Sequence, residues 1–475
     1  MLSPLKWAKC AKKSHKGVHM LVSFSVENFR SFSKEQTFSL LASGRLSSTH
    51  ESHTVPIPNS DQHVLRIGVL YGANGAGKSS LFKALSYVRL LALRAGKPRG
   101  TLREPFKFSN ICNEPSIFDL QFLCRGHLYR YGFKVDDLYI TEEWLLKIVG
   151  QKESVIYERI TDASGVVTIE GPGLKDEEKV DLLAKIGGPG NQTFLATSNA
   201  TLKESDLPGH VGNVLHWFEN QLQLMAPDES IEPVGHMLAD NANFRKFAGD
   251  FLRSSSTGIQ DLDVEKEELT EQELERVIPK GLLPIILRNL EENPDGIGIV
   301  QLPNGQELIL ERANANRFYR LSVHSTHNLS GGIDTRLPLS EESDGTRRLL
   351  QLLPALHLAK LQGTTYFIDE IDRSMHPMLI WKFLESFLAA CNSQESQIIV
   401  TTHESNLLDL DLLRRDEIWF AEKDSTLSTN LYSLSDFKVR KDLEIRKHYL
   451  QGRFGAVPFL GQLDNLVESS DATCR

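Results

Sequence analysis

Gly72-Ala73-Asn74-Gly75-Ala76-Gly77-Lys78-Ser79 is the stretch on which the reading of this chain turns. It fills the pattern G-x-x-x-x-G-K-[ST]. The glycines of this pattern let the backbone curl until successive N–H groups point inward at the β- and γ-phosphates of a nucleoside triphosphate. Lys78 adds a point charge, and the Ser79 hydroxyl is a hard oxygen ligand for Mg²⁺. Gly72, Asn74, Gly75, Ala76, Gly77, Lys78, Ser79 and Ser80 are therefore the candidate ATP-binding residues of this segment. The chemistry requires a strand before the loop and a helix after it. Arg66-Ile-Gly-Val-Leu-Tyr71 reads as a buried strand, and Ser80-Leu-Phe-Lys-Ala-Leu-Ser-Tyr-Val-Arg-Leu90 reads as a helix.

Upstream, Val22, Phe24 and Val26 alternate with Ser23, Ser25 and Glu27, and Gln36-Thr-Phe-Ser-Leu40 is a second strand, so an N-terminal antiparallel β element is expected. Residues 42–62 read as a loop. Downstream, Ser116–Cys124, Leu128–Val135 and Ile140–Val149 predict a β-meander. From about 160 to 325 the pattern becomes helical segments between polar loops. There Val264 to Arg276 is an acidic helix candidate with a solvated face, too short for a coiled coil. The last third alternates again, with helices over Arg347–Lys360 and Pro377–Cys391 and buried strands at Thr364–Ile368 and Gln397–Thr401. Short apolar strands between helices predict a parallel sheet covered on both faces, shared with the phosphate loop. The expected class is α/β, divided as a disordered extension (1–19), a phosphate-loop half (20–160), an inserted, mainly helical region (161–325) and a C-terminal half (326–475).

Composition narrows the class. A chain of 475 residues with 40% hydrophobic and 24% charged residues is an ordinary globular protein of two or three domains. No apolar run is long enough to span a bilayer, so no membrane partner is expected and the cytoplasm is the default location. Five scattered cysteines without C-x-x-C spacing indicate neither a disulfide framework nor a zinc site. A net charge of −9 excludes a uniformly basic nucleic-acid coat but not a local basic groove. Lys438, Arg440, Lys441, Arg446, Lys447 and Arg453 crowd the C-terminal segment, where interleaved Asp442 and Glu444 favour a solvated amphipathic helix.

Thr364-Thr-Tyr-Phe-Ile-Asp369-Glu370 ends an apolar strand in two carboxylates. At a strand tip Asp369 can hold Mg²⁺ through water, and Glu370 can orient and polarise an attacking water. Gln397-Ile-Ile-Val-Thr-Thr-His403 places a histidine at the end of the next strand, where an imidazole can bond the γ-phosphate or that water. Glu370, His403 and Lys78 are the catalytic candidates, with Ser79 and Asp369 as metal ligands.

The order of these motifs, with Asn28-Phe29-Arg30-Ser31-Phe32 before them, resembles the ABC/SMC-type ATPases, the group that includes RecF and the structural-maintenance proteins. The resemblance implies an ATPase head whose copies sandwich ATP as a homodimer or higher homo-oligomer. Arg30 would lie near the nucleotide, and Ser374-Met-His-Pro377 would form a loop crossing the dimer interface. It also implies a signature whose serine and glycine reach the partner copy's γ-phosphate. Leu329-Ser-Gly-Gly332 has the letters, but Pro338 spoils a helix after it. Ser343-Asp344-Gly345 opens a helix directly, so Ser343 and Gly345 are the candidates. Glu341–Thr346, Phe367–Asp372 and Tyr449–Pro458 are similar to bacterial AAA-15-type ATPase/GTPase proteins, which include the ATPase of the PARIS phage-defence system and OLD relatives. That likeness implies an antiviral switch with a nuclease or toxin on a separate chain. A DNA-repair ATPase acting on DNA ends, and an ATP-dependent scaffold storing an effector, stay open beside it.

Overall fold

The computed structural model describes residues 6–8, 18–94, 100–207, 209–230, 233–278, 283–284, 297–301, 306–312, 316–329, 333–391, 395–438 and 444–456. The chain packs as two units, one of His19–Leu222, Phe367–Glu370 and Gln397–Arg475, the other of Met1–Val18, Gln223–Tyr366 and Ile371–Ser396. These limits cut across the segments expected from sequence, because residues 161–222 pack with the phosphate loop and most of 326–396 does not.

The phosphate-loop unit holds two large sheets and a two-stranded ribbon, Thr54–Pro56 with His63–Leu65, whose first strand falls in the segment 42–62 expected to be loop. In one, seven strands run in the order Val167–Glu170, Lys152–Thr161, Ile140–Val149, His127–Val135, Ser116–Cys124, Met20–Glu27 and Gln36–Ser39. Every pairing is antiparallel, which is the expected meander with the N-terminal element added to its side. In the other, the order is Thr365–Ile368, Gln397–Thr402, Ile67–Tyr71, Ile418–Lys423 and Thr429–Ser433. Ile67–Tyr71 pairs in parallel with a strand on each side, and all five of its residues are buried, as a central parallel strand requires. The helix Lys78–Leu93 follows the loop and buries Leu81, Phe82, Leu85, Val88 and Ala92, a helical spacing.

Gln397 joins the two sheets. A register irregularity at Leu21 and Ser23 interrupts that strand's pairing with Ser116–Cys124. The Leu21 N–H donates to Gln397 Oε1 at 2.8 Å, and Gln397 Nε2 donates to Leu21 O at 2.9 Å and Leu65 O at 2.8 Å. One buried amide thus satisfies three main-chain groups that the ladders leave over.

The second unit corrects the helical expectation for the middle of the chain. It has helices at Val234–Asp240 and Ala242–Ser254, but also antiparallel strands at Ile259–Leu269, Ile297–Gln301, Glu307–Arg312, Asn316–Leu329 and Ile333–Pro338. The acidic run expected to be one helix splits at Thr270. Its first part is strand, with Val264 opposite Val323 and Leu269 opposite Phe318, and Glu271–Val277 is a helix started by a Thr270/Glu273 capping box. Two acidic residues of the strand pair with cations of nearby strands, Glu267 with Arg320 and Asp263 with Arg336, while Lys266 lies 3.9 Å over the Tyr319 ring. Of the segment expected to be disordered, Lys6–Ala8 pairs antiparallel with Ile297–Ile299, a contact that no local pattern announces. Leu269, Leu274, Ile278, Leu308, Leu310 and Phe318 form a core cluster beneath this sheet.

Candidate functional site

Parallel pairing brings the chemical residues of the phosphate-loop unit to one edge of its sheet. Tyr71, which precedes Gly72, is in register with Thr402, which precedes His403. The next strand over, Thr365–Ile368, is followed by Asp369 and Glu370. Ligands of open parallel sheets bind outside the carboxyl ends of their strands, and here those ends carry the phosphate loop, two carboxylates and a histidine.

Inside the loop, Gly75 and Gly77 have φ of +77° and +110°, values that side chains resist. Gly77 caps the helix that starts at Lys78, so the positive end of that helix lies at the loop. Lys78 is buried, and its Nζ donates to Gly72 O at 2.6 Å and Ala73 O at 3.1 Å. Ser79 and Ser80 are half-buried beside it, and Asn74 and Gly75 are exposed.

Thr401 ties the two strand tips together. Its hydroxyl donates to Asp369 Oδ1 at 2.5 Å and accepts the Glu370 N–H at 2.8 Å. Asp369 is buried and Glu370 half-buried, with Glu370 in the left-handed region at φ +50°. A non-glycine residue there is strained by roughly 1–3 kcal/mol and persists because its surroundings hold it. His403 is exposed at the end of the neighbouring strand.

Arg30 is placed differently from a ligand already in position. Its guanidinium pairs with Glu104 at 2.7 Å, and its main chain, at φ +51°, bonds Glu104 O. The pair is largely exposed, so little energy holds it. Next to it, Ser31 does reach the loop: Ser31 O accepts from the Thr429 N–H at 2.8 Å, and the two hydroxyls lie 2.9 Å apart. Asn28 is a tether, donating to Ile111 O and Glu114 O at 2.6 Å each. Thr401, Thr429 and Ser31 escaped the sequence reading.

In the second unit, Ser343 caps the helix Asp344–Leu358, accepting the Thr346 N–H at 3.1 Å. Gly345 has no room for a side chain, because a Cβ there would sit 2.6 Å from Ser374 O. This couples the candidate signature to the segment read as an interface loop, in which Ser374 has φ +60° and His376 caps the helix Pro377–Ala390. Residues 330–332 of the competing Leu329–Gly332 stretch lie outside the described residues, and the strands flanking it pair with Leu329 opposite Ile333. Strands rather than a helix therefore adjoin it.

Among the C-terminal cations, Arg440 and Lys441 lie outside the described residues. Arg446 and Lys447 line a groove of about 720 Å³ together with Asp409, Asp411 and Glu444, which offset their charge. Their helix, Ile445–Leu450, buries Ile445 and Tyr449 and stacks Tyr449 on Phe420 with ring centroids 5.7 Å apart. Among the described residues no helix is long and apolar enough to cross a membrane.

A family model described as "AAA domain, putative AbiEii toxin, Type IV TA system" matches residues 67–409. No curated protein matches the chain. Among solved structures, the chain is similar to the SMC head domain from Thermotoga maritima, with 11% identity, a TM-score of 0.35, and 87% of this chain and 98% of that one covered. It is similar also to the Smc head domain with an extended coiled coil bound to the C-terminal domain of ScpA from Pyrococcus furiosus, with 13% identity, a TM-score of 0.35, and 92% and 99% covered. TM-scores this low carry no inference. The family match, by contrast, runs from the strand before the phosphate loop past His403, over more than half of the chain, which belongs to this family of AAA-type P-loop ATPase domains.

Proposed function

We propose that the chain is an Mg²⁺-dependent ATP hydrolase whose copies dimerise around ATP, each site joining one copy's phosphate loop to the Ser343–Gly345 signature of the other. The observation that carries this reading is the Thr401 bridge, which sets Asp369 and Glu370 side by side at the strand end next to His403. The donor set fits the metal. Among the described residues no cluster of three or more His, Cys, Asp or Glu side chains is built to hold an ion. Mg²⁺ needs none, since one carboxylate, a hydroxyl, water and phosphate oxygens suffice. Asp369 and Ser79 would hold it, and when bound it neutralises charge on the phosphates.

The chain's own groups do the rest. Lys78 and the N–H groups of Gly75 to Ser79 hold the β- and γ-phosphates. Glu370 takes a proton from water as its oxygen bonds the γ-phosphorus and the bond to ADP breaks, with His403 bonding the γ-phosphate. Hydrolysis then separates the copies. The family name and the resemblance to phage-defence ATPases support a switch that gates a separately encoded effector in antiviral defence.

Mixing two inactive variants tests the composite site. Lys78→Ala and Ser343→Arg are each expected to abolish ATP hydrolysis. A mixed dimer of the two has one site with both defects and one with none. Mixing is therefore expected to restore roughly a quarter of wild-type turnover at random pairing, by mass action. If each site uses only its own chain's signature, no mixture regains activity.

A further inference from the structure

Thr429 begins the last strand of the phosphate-loop sheet, far along the chain from the loop, yet it is fully buried against it. Its hydroxyl donates to Ala76 O at 2.8 Å. A Cβ placed on Gly77 would lie 2.1 Å from Thr429 Oγ1 and 2.9 Å from Ser31 Oγ, so the second glycine of the motif is the space that Thr429 and Ser31 occupy. Thr429 is fixed in turn through its N–H to Ser31 O at 2.8 Å, while Ser428 Oγ accepts the Ser33 N–H at 3.1 Å. A turn closed on Asp424 leads into it, with the Thr426 and Ser428 N–H groups bonded to Asp424 Oδ1 at 2.8 and 3.1 Å.

We infer that Thr429, backed by Ser31, is the positioning residue that sets the Ala76–Gly77 peptide in its phosphate-binding orientation; this rests on the reading of Gly72–Ser79 as a nucleotide site. The described chain has no cis peptide bonds. In a planar trans peptide the C=O and N–H point in opposite directions. Anchoring Ala76 O on Thr429 therefore turns the Gly77 N–H away from Thr429. A flipped plane would turn the carbonyl that way instead, where it repels phosphate oxygens. Glycine at 77 leaves that flip sterically cheap, so the motif itself does not forbid it. The hydroxyl supplies the missing restraint. A hydrogen bond to a buried carbonyl is of the size that shifts such an equilibrium about tenfold, and affinity falls in proportion to the fraction of competent loop.

The test is the equilibrium affinity of the full chain for methylanthraniloyl-ATP with Mg²⁺, measured well below the melting transition, with the melting curve recorded alongside. Thr429→Val, the same shape without the hydroxyl, is expected to bind several-fold more weakly, with about tenfold as the ceiling, and Thr429→Ser within about twofold of wild type. Ser31→Ala, which keeps the donor but loosens its support, is expected to bind about threefold more weakly, and it serves as the decisive variant if T429V does not fold. Wild-type affinity in T429V, whatever its melting temperature, overturns the inference, as does a T429S variant as weak as T429V. Where T429V cannot be made, wild-type affinity in S31A overturns it. A wild-type chain that binds no methylanthraniloyl-ATP overturns the nucleotide-site reading and this inference with it.

Discussion

Glu370→Gln is expected to slow ATP hydrolysis by about 10²–10⁴-fold while leaving ATP binding intact, so that ATP-bound dimers accumulate. The expectation follows from how the two carboxylates differ. Asp369 is buried and accepts the Thr401 hydroxyl, whereas the neighbouring Glu370 is half-buried, with its main chain turned left-handed and its N–H held by that same hydroxyl. On the proposed mechanism Asp369 holds position and Glu370 meets water. Glutamine has the same size and the same tolerance of the backbone, so the fold is unaffected, but its amide takes no proton. Single-turnover hydrolysis together with light scattering in Mg²⁺ and ATP measures both effects. Wild-type hydrolysis without ATP-dependent dimers would remove Glu370 from the role of base and the dimer from the mechanism.

Glu143→Ala is expected to cost about 3–5 kcal/mol of stability, the scale for breaking a buried ion pair by removing one partner. Glu143 is buried and accepts from the Phe194 N–H at 2.6 Å, Tyr157 OH at 2.9 Å and Tyr131 OH at 3.2 Å, with Arg159 Nε 3.9 Å away. It therefore satisfies the start of the helix Phe194–Thr201. The capping Thr193 of that helix donates to Leu91 O at 2.7 Å, in the last turn of the helix that follows the phosphate loop. Alanine would strand a buried guanidinium, two hydroxyls and a helix N-terminus at once. Thermal unfolding is the measurement, and a loss of roughly 10 °C is expected for a unit of this size.

The same site predicts a pH slope. Burial raises the Glu143 carboxyl above its ordinary range, against the lowering effect of Arg159 and the Phe194 N–H. The native state therefore holds this proton to a higher pH than the unfolded chain does. The group's contribution is full below the unfolded carboxylate pKa and declines as pH rises toward the folded value. Glu143→Ala is expected to remove that slope, so the gap between variant and wild type narrows as pH rises through this window.

The local rules of the phosphate loop were legible because they are covalent and short-range. Glycine at 75 and 77, lysine at 78 and serine at 79 are required by backbone dihedrals and phosphate charge within eight residues, and flanking strand and helix patterns have periods that can be counted. Ser343 was distinguished from Leu329–Gly332 on similar grounds, since a capping serine followed by helix formers is also a local signal, and it does cap a helix. The acidic stretch 264–276 misled because strand and helix meet inside it at Thr270. Apolar residues on a strand and on the next helix, read as one series, imitate a single helix.

By itself, then, the sequence determined that a triphosphate loop, a paired carboxylate strand end and a capped helix are present, since each is a property of consecutive residues. Only the tertiary structure decided what holds them. Thr429 on Ala76, Thr401 between Asp369 and Glu370, and Gln397 on Leu21 make hydrogen bonds to groups that the sequence separates widely. A threonine or glutamine carries no mark of the distant carbonyl it will meet. Such partners are chosen by which strands lie side by side, and that choice belongs to the burial of the whole sheet rather than to any segment of it.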